Sequence, residues 1–162
     1  MPQIRPASPD DAAAIARIDQ LCNGWPAERI RERIRESLEQ LSEDWAVFVA
    51  EDGQELLGYA RCARLEYKAH PQLPEGWYLN GVSVVPQHRR KGIVASRLVQ
   101  RRLEYLQGRE DTVYYFTAKS NTASQALHEG FGFVKDIELE VPQRKPDLSV
   151  SHQSGILYRL YL

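Results

Sequence analysis

The hydrophobic and polar positions change period several times along the 162-residue chain. Ile4 opens a short β segment. Ser8-Pro9-Asp10-Asp11 then reads as a helix start, with a capping hydroxyl, proline at the first position and acids in the first turn. Ala14, Ile15, Ile18, Leu21 and Cys22 give that helix an apolar stripe, which Asn23-Gly24 ends. A second helix begins at Pro26, with Ile30, Ile34, Leu38 and Leu41 on one narrow face and mostly Arg and Glu elsewhere. Trp45–Ala50 is a continuous apolar run of strand length, Asp52-Gly53 is a hairpin signal, and Leu56–Leu65 supplies the return strand. Lys68–Gly76 reads as a loop. The stretch 77–85 is a strand, and Val94, Leu98, Val99, Leu103 and Leu106 fall on one face of a helix. Thr112–Thr117 is rich in β-formers, and a short helix and an alternating strand, Phe133–Val141, follow. Pro142–Gln153 reads as a long polar loop, and Ile156–Leu162 closes the chain as a strand.

The resulting order is β-α-α-β-β-β-α-β-α-β-β. It predicts an α/β fold in which a mixed sheet is flanked by helices. The hairpin turn implies antiparallel pairing in the first half, and alternating helices and strands imply parallel pairing in the second. No repeat or low-complexity tract divides the chain, so one domain over 1–162 is expected.

Composition narrows the function classes. A formal net charge of −1 argues against a general nucleic-acid binder. No apolar run approaches the roughly 20 residues that span a bilayer, and the first residues lack the apolar core of a signal peptide. Cys22 and Cys62 have no metal-type spacing, so no metal is expected, and they read as reduced thiols of a cytoplasmic protein.

The most informative stretch is Trp77–Leu98. Its strand ends at Pro86, and Gln87-His88-Arg89-Arg90-Lys91-Gly92 forms a basic turn into a helix. The first-turn N–H groups of a helix lack intrahelical partners and carry partial positive charge, so strand, glycine turn and helix make an anion-binding layout. Neither a P-loop nor a dinucleotide fingerprint is present. Arg89-x-x-Gly92-x-Val94 does resemble the pyrophosphate-binding motif of the GNAT acyltransferase superfamily, Gln/Arg-x-x-Gly-x-Gly/Ala. Val94 stands where that family usually has Gly or Ala, and its side chain either crowds a cofactor or points into the core.

A second stretch, Asn121 to Phe133, has Asn121 as N-cap of a short helix that Gly130 and Gly132 end. It is similar to the GNAT segment Asn-x-x-Ala-x-x-Leu-Tyr-x-x-x-Gly-Phe, with His128 in place of the Tyr. The element order is also that of the GNAT fold, so the resemblance covers essentially the whole chain.

The resemblance implies an N-acetyltransferase that moves an acetyl group from acetyl-CoA to a primary amine by direct attack in a ternary complex. It implies coenzyme contacts at Val82, Val84, Arg89, Arg90, Lys91, Gly92, Ile93, Val94, Ala95 and Asn121. The Val84 N–H would serve as oxyanion donor, and His128 would be either a general acid or a packing residue. The central-strand positions that often carry the family's carboxylate base are Asn80 and Gly81. That leaves Glu66 as a candidate base, with Asp136, Glu138 and Glu140 as others that share one strand face.

A looser similarity to aminoglycoside 6′-N-acetyltransferase-like members points to a small cationic acceptor, aminoglycoside-like or polyamine. Protein or peptide N-acetylation and a non-catalytic acyl-CoA-binding module are the alternatives. The apolar closing strand leaves homodimerisation open.

Overall fold

The computed structural model describes residues 1–162 except Leu41, Arg90 and Lys91, together with the side chain of Arg144. Leu41, expected on the apolar face of the second helix, therefore lies outside the described residues. The elements are β1 (Gln3–Pro6), α1 (Ala12–Asn23), α2 (Ala27–Glu39), β2 (Trp45–Asp52), β3 (Glu55–Leu65) and β4 (Gly76–Val84). They continue as α3 (Ile93–Leu106), β5 (Thr112–Ala118), α4 (Thr122–Glu129), β6 (Val134–Arg144) and β7 (Val150–Tyr161). This is the order the hydrophobic pattern predicts.

The seven strands form one mixed sheet in the order β1-β2-β3-β4-β5-β7-β6. Asp52 pairs with Glu55 across the expected Asp-Gly hairpin. The parallel pairing expected for the second half is confined to β4 and β5. The closing strand β7 inserts between β5 and β6 and runs antiparallel to both.

The long loop expected at Pro142–Gln153 is a second correction. Pro142–Arg144 extend β6 and Val150–Gln153 extend β7, with Pro142 opposite His152. Proline is tolerated there because β6 is an edge strand. The hairpin turns tightly at Lys145-Pro146-Asp147-Leu148, where Leu148 takes φ 69° and the Lys145 N–H donates to the Ser149 carbonyl.

Helix α3 covers one sheet face, where Leu98, Val99 and Leu106 join Phe48, Leu79, Val113, Tyr115 and Tyr158 in the main core. On the other face Leu73, from the loop before β4, packs with Tyr78 and Leu157. Helix α1 is fastened at its start by Asp11, which accepts two hydrogen bonds from the Arg5 guanidinium, at 2.8 and 2.9 Å, and one from the Ser8 N–H. The Arg5 contact, chiefly, holds the Asp11 carboxyl below its ordinary value. A carboxylate with a lowered folded pKa stabilises at neutral pH, and that contribution fades as pH falls through the folded value. Asp11→Asn is expected to lower stability by about 1–2 kcal/mol at pH 7. The difference between variant and parent should shrink below about pH 4 in acid-dependent urea melts.

Candidate active site

Strands β4 and β5 stay together for only two residue pairs, Trp77 with Val113 and Tyr78 with Tyr114. Beyond them β4 leaves β5, while β5 remains paired with β7 as far as Ala118. The departure coincides with a bulge in β4. Ala60 lies opposite Val82 and Cys62 opposite Leu79, so Asn80 and Gly81 place an extra residue in β4.

The bulge is held from α3. Arg102 has none of its surface exposed, and its Nη1 donates to the Asn80 carbonyl at 2.5 Å and to the Arg61 carbonyl at 2.9 Å. Its Nε donates to Leu98 one turn earlier in the helix. No carboxylate pairs with it among the described residues, and burial lowers its pKa to about 10, still cationic at neutral pH.

Below the bulge the strand aims its amides into the opening. The Val85 N–H donates to Leu57 of β3 at 2.8 Å, so alternation directs the N–H groups of Val84 and Val82 away from β3, toward the gap left by β5. The chain then turns through Pro86–His88 to Gly92, the N-cap of α3 with φ 64°. A left-handed residue without a side chain suits this position, and a Cβ there would meet nothing within 4 Å. Among the described residues no side chain caps α3 and its first turn carries no acid, so its leading N–H groups have no intrahelical or side-chain partner there.

The expected site residues divide. Val82 and Val84 lie on β4 beyond its pairing with β5, and Gly92, Ile93 and Ala95 at the start of α3; the Val84 side chain is in the main core, and those of Val82 and Ala95 pack against it. Val94 is 6% exposed and packs in the main core, so of the two readings it takes the core one. The Arg89 side chain turns back onto the strand end, donating Nε to the Val84 carbonyl at 2.8 Å and Nη2 to the Cys22 sulfur at 3.3 Å. Arg90 and Lys91 lie outside the described residues. Asn121 caps α4, accepting from the Ser124 N–H, and is exposed.

Glu66 does not belong to this group. It follows Leu65, which pairs with Gly76 at the start of β4, whereas Val84 pairs with Gly58 at the far end. Eight residues of strand, roughly 25 Å, separate the two ends, so Glu66 cannot take a proton at Val84. The acids of β6 are likewise engaged elsewhere. Asp136 pairs with Arg159, Glu138 with Lys119, and Glu140 accepts from Ser154, all at the sheet edge.

His128 also departs from the general-acid reading. It is 1% exposed, stacked on Tyr115 with ring centroids 3.5 Å apart, and edge-on to Phe133. Its Nδ1 lies 2.8 Å from the Ser124 carbonyl, which can only accept, so Nδ1 carries the proton and Nε2 is bare. Burial lowers its pKa to about 4. At neutral pH the ring's single proton is held by the Ser124 carbonyl, and the bare Nε2 has none to give to a leaving thiolate.

One carboxylate near the strand end escapes the sequence reading. Asp19 of α1 accepts from the Tyr59 hydroxyl at 2.9 Å and from the Asn23 amide, which also reaches the Ser83 hydroxyl at 3.4 Å. Tyr59 lies opposite Ser83 across the β3–β4 ladder, and the Cys22 thiol donates to the Val84 carbonyl. The last turn of α1 is thus fastened to the segment of β4 that faces the opening. A Cβ placed on Gly24, in the turn behind it, would lie against Pro146 at the β6–β7 hairpin tip.

Residues 12–133 match the model of the acetyltransferase (GNAT) family. The chain belongs to that family. No curated protein matches it in sequence. Among solved structures it is similar to an N-acetyltransferase from Staphylococcus aureus Mu50, with TM-score 0.73 and 23% identity over 99% of this chain and 98% of that one. It is also similar to Arabidopsis thaliana NAA60 in complex with acetyl-CoA, with TM-score 0.74 and 18% identity over 100% and 99%. The ribosomal-protein-S18-alanine N-acetyltransferase from Escherichia coli matches at TM-score 0.72 and 18% identity over 99% and 94%. At these identities the likeness is one of fold, and the fold is the mixed α/β GNAT fold expected from the element order. No helix among the described residues is long and apolar enough to cross a membrane.

Because His128 is buried neutral and its folded pKa lies below the ordinary ~6.5, the unfolded chain binds more protons between those values. Stability should therefore fall by about 2–3 kcal/mol between pH 6.5 and 4 on this account, and His128→Phe should remove most of that slope in pH-resolved thermal melts.

Proposed function

We propose that this GNAT-family chain transfers the acetyl group of acetyl-CoA to a primary amine, with the donor lying in the opening between β4 and β5. The observation that carries this reading is the uncapped start of α3 at a left-handed glycine, beside an opening into which the Val82 and Val84 N–H groups point. Free first-turn amides suit a pyrophosphate, and strand amides suit the amide-bearing pantetheine arm and the thioester carbonyl. Val94 supports the reading by packing into the main core rather than toward the turn.

The amine lone pair attacks the thioester carbonyl carbon. The C–N bond forms, the carbonyl oxygen gains negative charge against the Val84 N–H, and the C–S bond then breaks to release the coenzyme as thiolate. Thiols ionise near pKa ~8.5, so this leaving group needs no strong acid, and a neutral His128 is no obstacle. The attacking nitrogen must lose a proton, and Asp19, linked through Asn23 to Ser83, is the carboxylate we assign to receive it through water. The acids of β6, the other candidate bases, are engaged with Lys119, Arg159 and Ser154 at the sheet edge, which favours Asp19 for this role.

Gly92→Glu sets a carboxylate against the anion site in a turn that has room for it, whereas Gly92→Ala adds only a Cβ and about 1 kcal/mol of backbone strain. Free-thiol release from acetyl-CoA should fall at least a hundredfold in Gly92→Glu and less than tenfold in Gly92→Ala. Equal activity of wild type and Gly92→Glu would remove the coenzyme from this turn.

A further inference from the structure

Helix α2 carries an apolar stripe that the sheet does not fully cover. Ile30 is buried, but Ile34 and Leu38, one and two turns on, remain half-exposed. They roof a cavity of about 680 Å³ whose floor is the β2–β3 face at Val47, Tyr59 and Arg61. That volume suits a drug-sized ligand. Trp25 stands on its wall, and Trp45 lies toward the end farthest from Tyr59.

The charges on the wall are unevenly matched. At the Tyr59 end, Asp19 accepts only from neutral donors, the Tyr59 hydroxyl and the Asn23 amide, and no Lys or Arg pairs with it among the described residues. Arg61, two residues along β3 from Tyr59, and Arg33 on α2 have no acidic partner within 4 Å among the described residues. Arg64 also reaches the cavity but is engaged with Glu75 and Glu110, and Asp44 lies at the far end beside Trp45. An unneutralised carboxylate in an apolar wall favours an ammonium, and two unpaired guanidinium groups beyond it favour an anion and repel a second cation.

Resting on the acetyl-transfer reading above, we propose that this cavity is the acceptor site and that its occupant is a hydrophobic primary amine bearing a carboxylate. The ammonium lies at Asp19, next to Ser83 and the strand segment that faces the donor. The apolar body lies under Ile34 between the two tryptophans, and the carboxylate meets Arg61 and Arg33. Polyamines and aminoglycosides fit poorly, because their additional positive charges would fall against those arginines.

Three probes separate the alternatives: the dipeptide phenylalanyl-leucine, phenethylamine as an apolar monoamine without a carboxylate, and spermidine as a polycation. With acetyl-CoA and thiol release as readout, kcat/KM for the dipeptide should exceed that for spermidine at least tenfold, with phenethylamine between them. Arg61→Glu, on an exposed side chain, should lower the dipeptide value tenfold and raise that of spermidine, and a purely structural role would not produce this reversal. Asp19→Asn should lower all three, with thermal melts confirming the fold. Quenching of tryptophan fluorescence by the dipeptide without coenzyme, lost in Arg61→Glu, reports the cavity independently of turnover.

Saturable quenching without thiol release would leave the cavity assignment standing and overturn the acetyl-transfer reading. Spermidine equal to or better than the dipeptide in the wild type would overturn the cavity proposal. So would an unchanged order in Arg61→Glu, or turnover of amines with no quenching.

Discussion

The Arg102 clamp on the β4 bulge is the contact on which the rest of this molecule depends. A bulge frees backbone carbonyls from the ladder, and leaving buried carbonyls unpaired is costly. Arg102 meets the carbonyls of Asn80 and, on the neighbouring strand, Arg61 with one guanidinium nitrogen, from the middle of α3. The same helix thereby fixes two things at once. Its buried middle stabilises the kink that lets β4 leave β5, and its uncapped start opens beside the gap so formed. Ten residues of helix, about 15 Å, separate Gly92 from Arg102.

The order of elements was legible because each one carries its own period, and the two glycine-containing motifs fall where those periods change. What was not legible came from pairings between distant segments. Nothing in Ile156–Leu162 announces that the last strand inserts between β5 and β6 rather than adding at an edge. The polar, proline-bearing stretch 142–153 read as loop because composition cannot distinguish an edge strand, which tolerates proline and solvent, from a turn. Glu66 was attractive because it follows the strand next to β4, yet β3 runs antiparallel and carries it to the wrong end.

Asp19 shows the converse case, a signal that was present and unread. Ile15, Ile18, Asp19 and Cys22 lie on one helical face, so an acid sits on the inward stripe of α1. An acid on an inward stripe requires partners, and Tyr59 and Asn23 supply them without neutralising its charge. His128 is the opposite lesson. The motif places it where the family has a hydroxyl, but stacking on Tyr115 and the bond to Ser124 make it a buried neutral ring whose effect is on acid stability.

The central claim is that the gap between β4 and β5 and the first turn of α3 together hold acetyl-CoA. Amide hydrogen exchange, resolved to single residues with and without the coenzyme, tests it most directly. The account predicts slowed exchange at Val82, Val84, Ile93, Val94 and Ala95, with little change along α2. Unchanged exchange at those five amides under saturating coenzyme, or protection confined to α2 and the β2–β3 face, would contradict it.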